Sequence, residues 1–143
     1  MLHRYTYLTR SEEDIITKYW PSPLTMILRA RPGIFPRSLL SNDKIAVRIP
    51  QNQLIQKISS YSGVPLVGTS ANISGTNLQN INFFKFQRLF PYIKNFICST
   101  NMVNNIYLNS SKPSTILKIG RGNLFYIMRK GAKNIKNHST HIL

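Results

Sequence analysis

The apolar positions of this chain fall into short runs broken by proline, glycine and small polar residues. Residues 24–29 and 44–49 are strand-length runs, stopped by the turn Arg31-Pro32-Gly33 and by Pro50. Between them residues 34–40 read as an extended or short helical connector. Within residues 51–61, Leu54, Ile55 and Ile58 recur at helical spacing, and Gly63 is a C-terminal stop. Ser11-Glu12-Glu13-Asp14 predicts a helix start, with Ser11 as N-cap and acids facing the positive end of the dipole. Pro21 and Pro23 end that helix near Tyr19, and Trp20 reads as a core anchor where it turns into the next strand.

The second half follows the same logic. Residues 64–67 have the length of a buried strand. Residues 80–90 predict a helix ending at Pro91, with Phe83, Phe86, Leu89 and Phe90 on one side as a core face. Residues 96–98, 105–108, 115–119 and 124–128 predict strands, the last two joined by the turn Gly120-Arg121-Gly122-Asn123. From Lys130 onward no apolar pattern remains, which predicts one domain over 1–132 and a frayed basic tail over 133–143. His138 and His141 in that tail are expected to be solvated.

Composition narrows the chemistry. At 143 residues and 42% hydrophobic content the chain can bury one core and is not a disordered polymer. No apolar run approaches the roughly 18 residues of a membrane span, and the first residues lack the apolar core of a signal peptide. The single cysteine, Cys98, allows no internal disulfide, so a reducing cytoplasm is the expected home. Cys98 itself reads as a small apolar strand residue. Nineteen Lys and Arg against four acids give a net charge of +15, a surface that attracts polyanions such as nucleic acid or a nucleotide triphosphate.

Several mechanisms are thereby excluded. Three of the four acids sit in the first helix turn as cap charges, so paired-carboxylate catalysis is not expected. The chain shows no catalytic triad, no G-x-x-x-x-G-K-[ST] loop and no metal-ligand spacing. What remains is binding and charge stabilisation, which is enough for nucleotidyl transfer. The stretch best suited to it is Val64-Pro65-Leu66-Val67-Gly68-Thr69-Ser70-Ala71-Asn72-Ile73-Ser74-Gly75. A strand opening into small polar residues lets backbone N–H groups, hydroxyls and an amide approach a ligand closely. The plain alternative is a strand followed by an ordinary loop.

Thr69-Ser70-Ala71-Asn72-Ile73-Ser74-Gly75 resembles the S-T-S-A-N-x-S-G signature of the YrdC/TsaC family, the L-threonylcarbamoyladenylate synthases. Four further blocks follow the family order. Lys18-Tyr19-Trp20-Pro21-Ser22-Pro23-Leu24-Thr25 is similar to W-P-G-P-L-T, and Ile45-Ala46-Val47-Arg48-Ile49-Pro50 to V-A-V-R-x-P. Pro113-Ser114-Thr115-Ile116 is similar to P-S-T-[IV], and Met128-Arg129-Lys130-Gly131-Ala132 to L-R-x-G-A. The resemblance implies an α/β fold, a twisted mixed sheet with flanking helices. It implies that threonine, bicarbonate and ATP, with Mg²⁺ assisting, give threonylcarbamoyl-AMP and pyrophosphate for the modification of adenosine 37 in tRNA.

On that resemblance Arg48, Ser70 and Asn72 are the candidate catalytic residues. Thr69, Ala71, Ser74, Ser114, Thr115 and Arg129 are candidates for ATP or substrate binding, with no metal ligand assigned. Two departures stand out. Ser22 replaces the family's glycine, and Met1–Ser11 contains neither the T-x-Y-G-L motif nor the K-x-R block that the family carries in an additional N-terminal segment. The expectation is therefore a domain incomplete at its N-terminus: a truncated or degenerate copy, one completed by a separate chain, or one whose exposed surface a homodimer partner covers. An alternative is a catalytically inactive module that binds double-stranded RNA or tRNA through the basic surface. A third is a carbamoyl-transfer domain of a larger hydrogenase-maturation-type assembly, disfavoured because no zinc-finger or acylphosphatase segment is present.

Overall fold

The computed structural model describes residues 1–69, 83–95, 112–135 and 140–142. Two compact units are distinguished, Met1–Leu66 with Lys112–Leu143, and Val67–Ser111. In the first unit, helix α1 (Leu2–Tyr5) leads to strand β1 (Thr6–Tyr7), helix α2 (Arg10–Tyr19), strands β2 (Leu24–Ala30) and β3 (Lys44–Val47) and helix α3 (Gln53–Ser62). Strands β4 (Thr115–Ile119), β5 (Phe125–Arg129) and β6 (Thr140–Ile142) complete it. The second unit contains helix α4 (Phe83–Leu89).

Strand β2 is the centre of the sheet. Antiparallel β3 lines one edge, pairing Met26 with Val47 through to Arg29 with Lys44. The other edge is shared end to end: β4 runs parallel to Leu24–Met26, and β1 antiparallel to Arg29 and Ala30. Strand β5 returns antiparallel to β4, and β6 lies parallel to β5. The β4–β5 turn closes with the Gly120 N–H donating to the Leu124 carbonyl at 2.8 Å. Gly122 and Asn123 supply its left-handed residues.

Alternation along β2 puts Leu24, Met26 and Leu28 on one face, where they pack with Leu117, Phe125, Ile127, Ile135 and Ile15 of α2. Trp20 sits at the edge of this core, its indole N–H donating to the Leu24 carbonyl at 2.8 Å, as a core anchor should. The α2 cap differs from expectation: Thr9, not Ser11, is the N-cap. The Thr9 hydroxyl accepts from Glu12 N–H, while the Glu12 carboxylate accepts from Thr9 N–H at 2.7 Å. A glutamate can reach back in this way only three residues after the cap, which selects Thr9. Helix α3 starts at an Asn52 cap and stops at Gly63 with φ of 67°, the stop its sequence implies.

Two expectations are corrected. Residues 64–67 form no strand, and Val67 is 73% exposed. The Val64 carbonyl accepts instead from the Ser59 and Ser62 hydroxyls, and Pro65 has no N–H to donate to a ladder. Among the described residues after Lys130, Ile135 is buried and Thr140–Ile142 pair with β5, where a frayed tail was expected. In the second unit Leu89 and Phe90 of the expected α4 face are half-buried and Phe84, off that face, is exposed, while the side chains of Phe83 and Phe86 lie outside the described residues. The expected strands 96–98 and 105–108, with Cys98, lie outside the described residues, as do His138 and the side chain of His141.

Candidate anion-binding site on the sheet face

Opposite the core, the sheet presents the alternate residues of each strand. Thr25, Ile27 and Arg29 of β2 are half-buried to exposed, as are Ile116 and Lys118 of β4. The parallel register sets Thr25 beside Ile116, so Ser114, just before β4, shares their face. The Thr25 and Ser114 hydroxyls are 2.8 Å apart, and either can donate. Arg129 arrives from β5, which places it opposite Ile116. Its Nε and Nη2 donate to the Ser114 carbonyl at 3.1 and 2.9 Å, and Nη2 also donates to Ser114 Oγ at 3.1 Å.

This leaves a cationic fork anchored on the Ser114 carbonyl and hydroxyl, with the Thr25 hydroxyl bonded to Ser114 beside it. A guanidinium has five donors in a fixed plane. The bonds to Ser114 use Nε and Nη2 and leave the Nη1 donors for a ligand. Ser114 is only 8% exposed, so its hydroxyl is held by protein rather than by bulk water. Arg48 directly follows β3, and alternation from Val47, the partner of Met26, carries it to the face of Thr25. It is exposed, as a residue gripping a soluble anion would have to be.

The cluster is fixed from behind. The Thr115 side chain is 1% exposed; its hydroxyl donates to the Lys133 carbonyl and accepts from the Gly131 N–H at 3.1 Å. Thr115 N–H donates to the Pro23 carbonyl, and Ala132 N–H to the Pro113 carbonyl. A Cβ on Gly131 would come within 2.5 Å of Ser114 C and Thr115 N and closer still to the Pro113 carbonyl oxygen. Only glycine permits this approach of the two backbones, and it is what brings Arg129 onto Ser114. Thr115 is thus a buried staple with its hydroxyl already engaged.

Of the residues expected from sequence, Ser114, Thr115 and Arg129 are brought into direct contact or next to it, and Arg48 onto the same face. Thr69 is exposed in the second unit, while Ser70, Ala71, Asn72 and Ser74 lie outside the described residues. Two contributors were missed, Thr25 and Gly131. Both were written in the matched blocks, at the last position of W-P-S-P-L-T and in the R-x-G-A string. Ser22 is a further departure: 2% exposed, its Oγ has no hydrogen-bond partner. Among the described residues no group of three or more His, Cys, Asp or Glu could hold a metal ion.

Residues 1–131 match the family model Sua5/YciO/YrdC, described as telomere recombination. The chain belongs to this family. A Methanocaldococcus jannaschii protein provisionally named threonylcarbamoyl-AMP synthase is 36% identical over 122 residues, 82% of this chain and 52% of the relative. The threonylcarbamoyl-AMP synthase of Yersinia enterocolitica is 42% identical over 69 residues, 48% of this chain and 36% of the relative. This Sua5/YciO/YrdC chain therefore spans about half the length of its curated relatives, or less. Among solved structures, E. coli YciO superposes with a TM-score of 0.71 at 20% identity, over 94% of this chain and 63% of that one. P. abyssi Sua5, solved with L-threonine, gives 0.68 at 23% identity, over 91% of this chain and 36% of that one. These likenesses establish the α/β sheet with flanking helices as the family fold.

Proposed function

We propose that this chain carries out, or forms part of, threonylcarbamoyl-AMP synthesis for tRNA modification. Threonine, bicarbonate and ATP are consumed; threonylcarbamoyl-AMP, pyrophosphate and water are formed. The observation that carries the reading is the Thr25–Ser114–Arg129 cluster locked by Gly131. It assembles hydroxyls and a cationic fork from three matched blocks of the sequence on one sheet face. The names of the Yersinia and Methanocaldococcus relatives support the activity, and the threonine in the P. abyssi complex supports the amino-acid substrate.

The chemistry asked of the protein is modest. An oxygen of the carboxylated threonine must meet the α-phosphorus, and charge must be neutralised as pyrophosphate leaves. Pre-placed donors in a fixed array supply that stabilisation without reorganising during the step. Arg129 Nη1 and the Thr25 hydroxyl are assigned to anionic oxygens of the nucleotide or carboxylate, and Arg48 to a second anion on the same face. Ser70 and Asn72, with Thr69, Ala71 and Ser74, are assigned to hydrogen bonds with the substrates. Magnesium enters this account as the counter-ion of ATP, with no protein ligand assigned to it. We assign the chain to the cytoplasm, where ATP and tRNA are both at hand.

Equilibrium binding tests the assignment before turnover is measured. ATP and threonine should each bind the wild-type chain, and Arg129→Ala, Arg48→Ala or Asn72→Ala should weaken ATP without unfolding the protein. Unchanged ATP affinity in all three variants would contradict the site. A requirement for a second chain, or for dimer formation, would show as binding that depends on protein concentration or on the added partner.

A further inference from the structure

We propose that the sheet end formed by Tyr7, Arg29, Lys44 and the connector 31–40 docks onto the surface of an anionic phospholipid bilayer. It lies at the far end of β2 from the Thr25 cluster and does not rest on the proposed synthesis. Tyr7, Arg29 and Lys44 stand directly opposite one another on β1, β2 and β3. The guanidinium carbons of Arg29 and Arg31 sit 5.5 and 4.5 Å from the centroid of the exposed Tyr7 ring. Arg31 N–H donates to the Tyr5 carbonyl at 2.9 Å, and its Nε to the His3 carbonyl at 2.7 Å. The connector from β2 to β3 is held at this end by Phe35, whose ring centroid is 5.9 Å from that of Tyr5. Arg4 lies over the same Tyr5 ring. On that connector Ile34 and Leu39 are left exposed, with Arg37 exposed between them.

Cations and apolar side chains are thus interleaved at one end of the fold. Like charges directly opposite on neighbouring strands, such as Arg29 and Lys44, repel until an anion meets them. Among the described residues no carboxylate lies within 4 Å of Arg29, Arg31 or Lys44; the nearby ion pair joins His3 to Glu13. Phosphate oxygens of any polyanion would satisfy the arginine forks. The exposed Ile34 and Leu39 decide between polyanions, because a sugar-phosphate backbone offers them nothing. A bilayer takes apolar side chains in below its headgroups while arginines stay level with the phosphates. Tyrosine suits the same depth, with an apolar body and a polar tip. Ile34 and Leu39 also come from an irregular connector rather than from helical spacing along a groove, so a peptide helix fits them poorly. Two apolar side chains and a few cations give peripheral, reversible attachment to an anionic leaflet.

Flotation of the full chain with vesicles tests this, comparing phosphatidylcholine alone with an equal mixture of phosphatidylcholine and phosphatidylserine. Capture by the mixed vesicles that weakens as salt rises is expected, with little capture by phosphatidylcholine alone. Arg29→Gln/Arg31→Gln should lower the partition coefficient about 25-fold, from about fivefold per cation. Ile34→Ser/Leu39→Ser should lower it about 10-fold. Two control pairs make the same changes elsewhere. Lys57→Gln/Arg88→Gln removes exposed cations. Leu54→Ser/Ile55→Ser removes side chains exposed by 49% and 40%, against 40% and 37% for Ile34 and Leu39. Each control should lose far less than its counterpart, and an equal loss would overturn the proposal, since a diffuse field or general stickiness would then explain capture. Equal capture by phosphatidylcholine alone, or none by the mixed vesicles at low salt, would overturn it too. If the arginine pair weakens binding of oligouridylate but leaves vesicle capture unchanged, RNA is the occupant and the proposal fails. If circular dichroism shows the glutamine pair unfolded, the serine pair in the connector decides: its loss supports the proposal and unchanged capture overturns it. None of these readouts needs ATP, threonine or turnover, so failure here and failure of the synthesis are separable.

Discussion

Gly131 is the position where one atom decides the site. Adding a Cβ drives it into the backbone of Pro113–Thr115, which cannot swing aside as a flexible side chain could. Gly131→Ala is expected to destabilise the fold by about 2 kcal/mol, within the usual range for overpacking. Chemical denaturation measures it, and an unchanged midpoint would show that the two backbones can separate freely. Thr115→Val keeps the shape but strands the Gly131 N–H and the Lys133 carbonyl, a loss of about 1–3 kcal/mol by the same assay. Arg129→Lys keeps the charge but loses the fork on Ser114. Substrate-dependent pyrophosphate release should then fall about 10-fold or more, with the fold retained. Retained turnover with lysine would mean that a point charge suffices there.

At the scale of elements, what the sequence reveals depends on whether the deciding contacts are local. Strand β4 matches its expected bounds because Pro113 and Gly120 frame a short β-prone run. The β4–β5 turn is likewise written in Gly120-Arg121-Gly122-Asn123. The α2 cap is local too, but two hydroxyl candidates compete, and Glu12 settles the choice in favour of Thr9. Thr9→Ala should cost about 1 kcal/mol, whereas Ser11→Ala should be nearly neutral; the reverse order in thermal melts would return the cap to Ser11. The run 64–67 misleads because two serine hydroxyls of the preceding helix take the carbonyl that a ladder would need. Thr25 is harder still to read, since its partner Ser114 lies 89 residues away in sequence. The β6 pairing involves a three-residue strand, too short to show a period.

Across the whole molecule, charge and the common sheet face are the dominant features. A net charge of +15 in a chain of this size opposes compaction by self-repulsion. Raising salt from a few millimolar to about 0.15 M shortens the screening length to about 8 Å and should raise the melting temperature. A fall would show that attractive surface pairs outweigh the repulsion. No helix among the described residues is long and apolar enough to cross a membrane. On the sheet face it is the arginine fork beside Thr25 that the proposed synthesis depends on. The most direct test is pyrophosphate release from ATP by the purified chain, with threonine and bicarbonate omitted in turn. Release that requires both, and that is lost in Arg129→Ala, is the predicted result. Folded protein that binds ATP through Arg129 yet releases pyrophosphate without regard to threonine or bicarbonate would contradict the account.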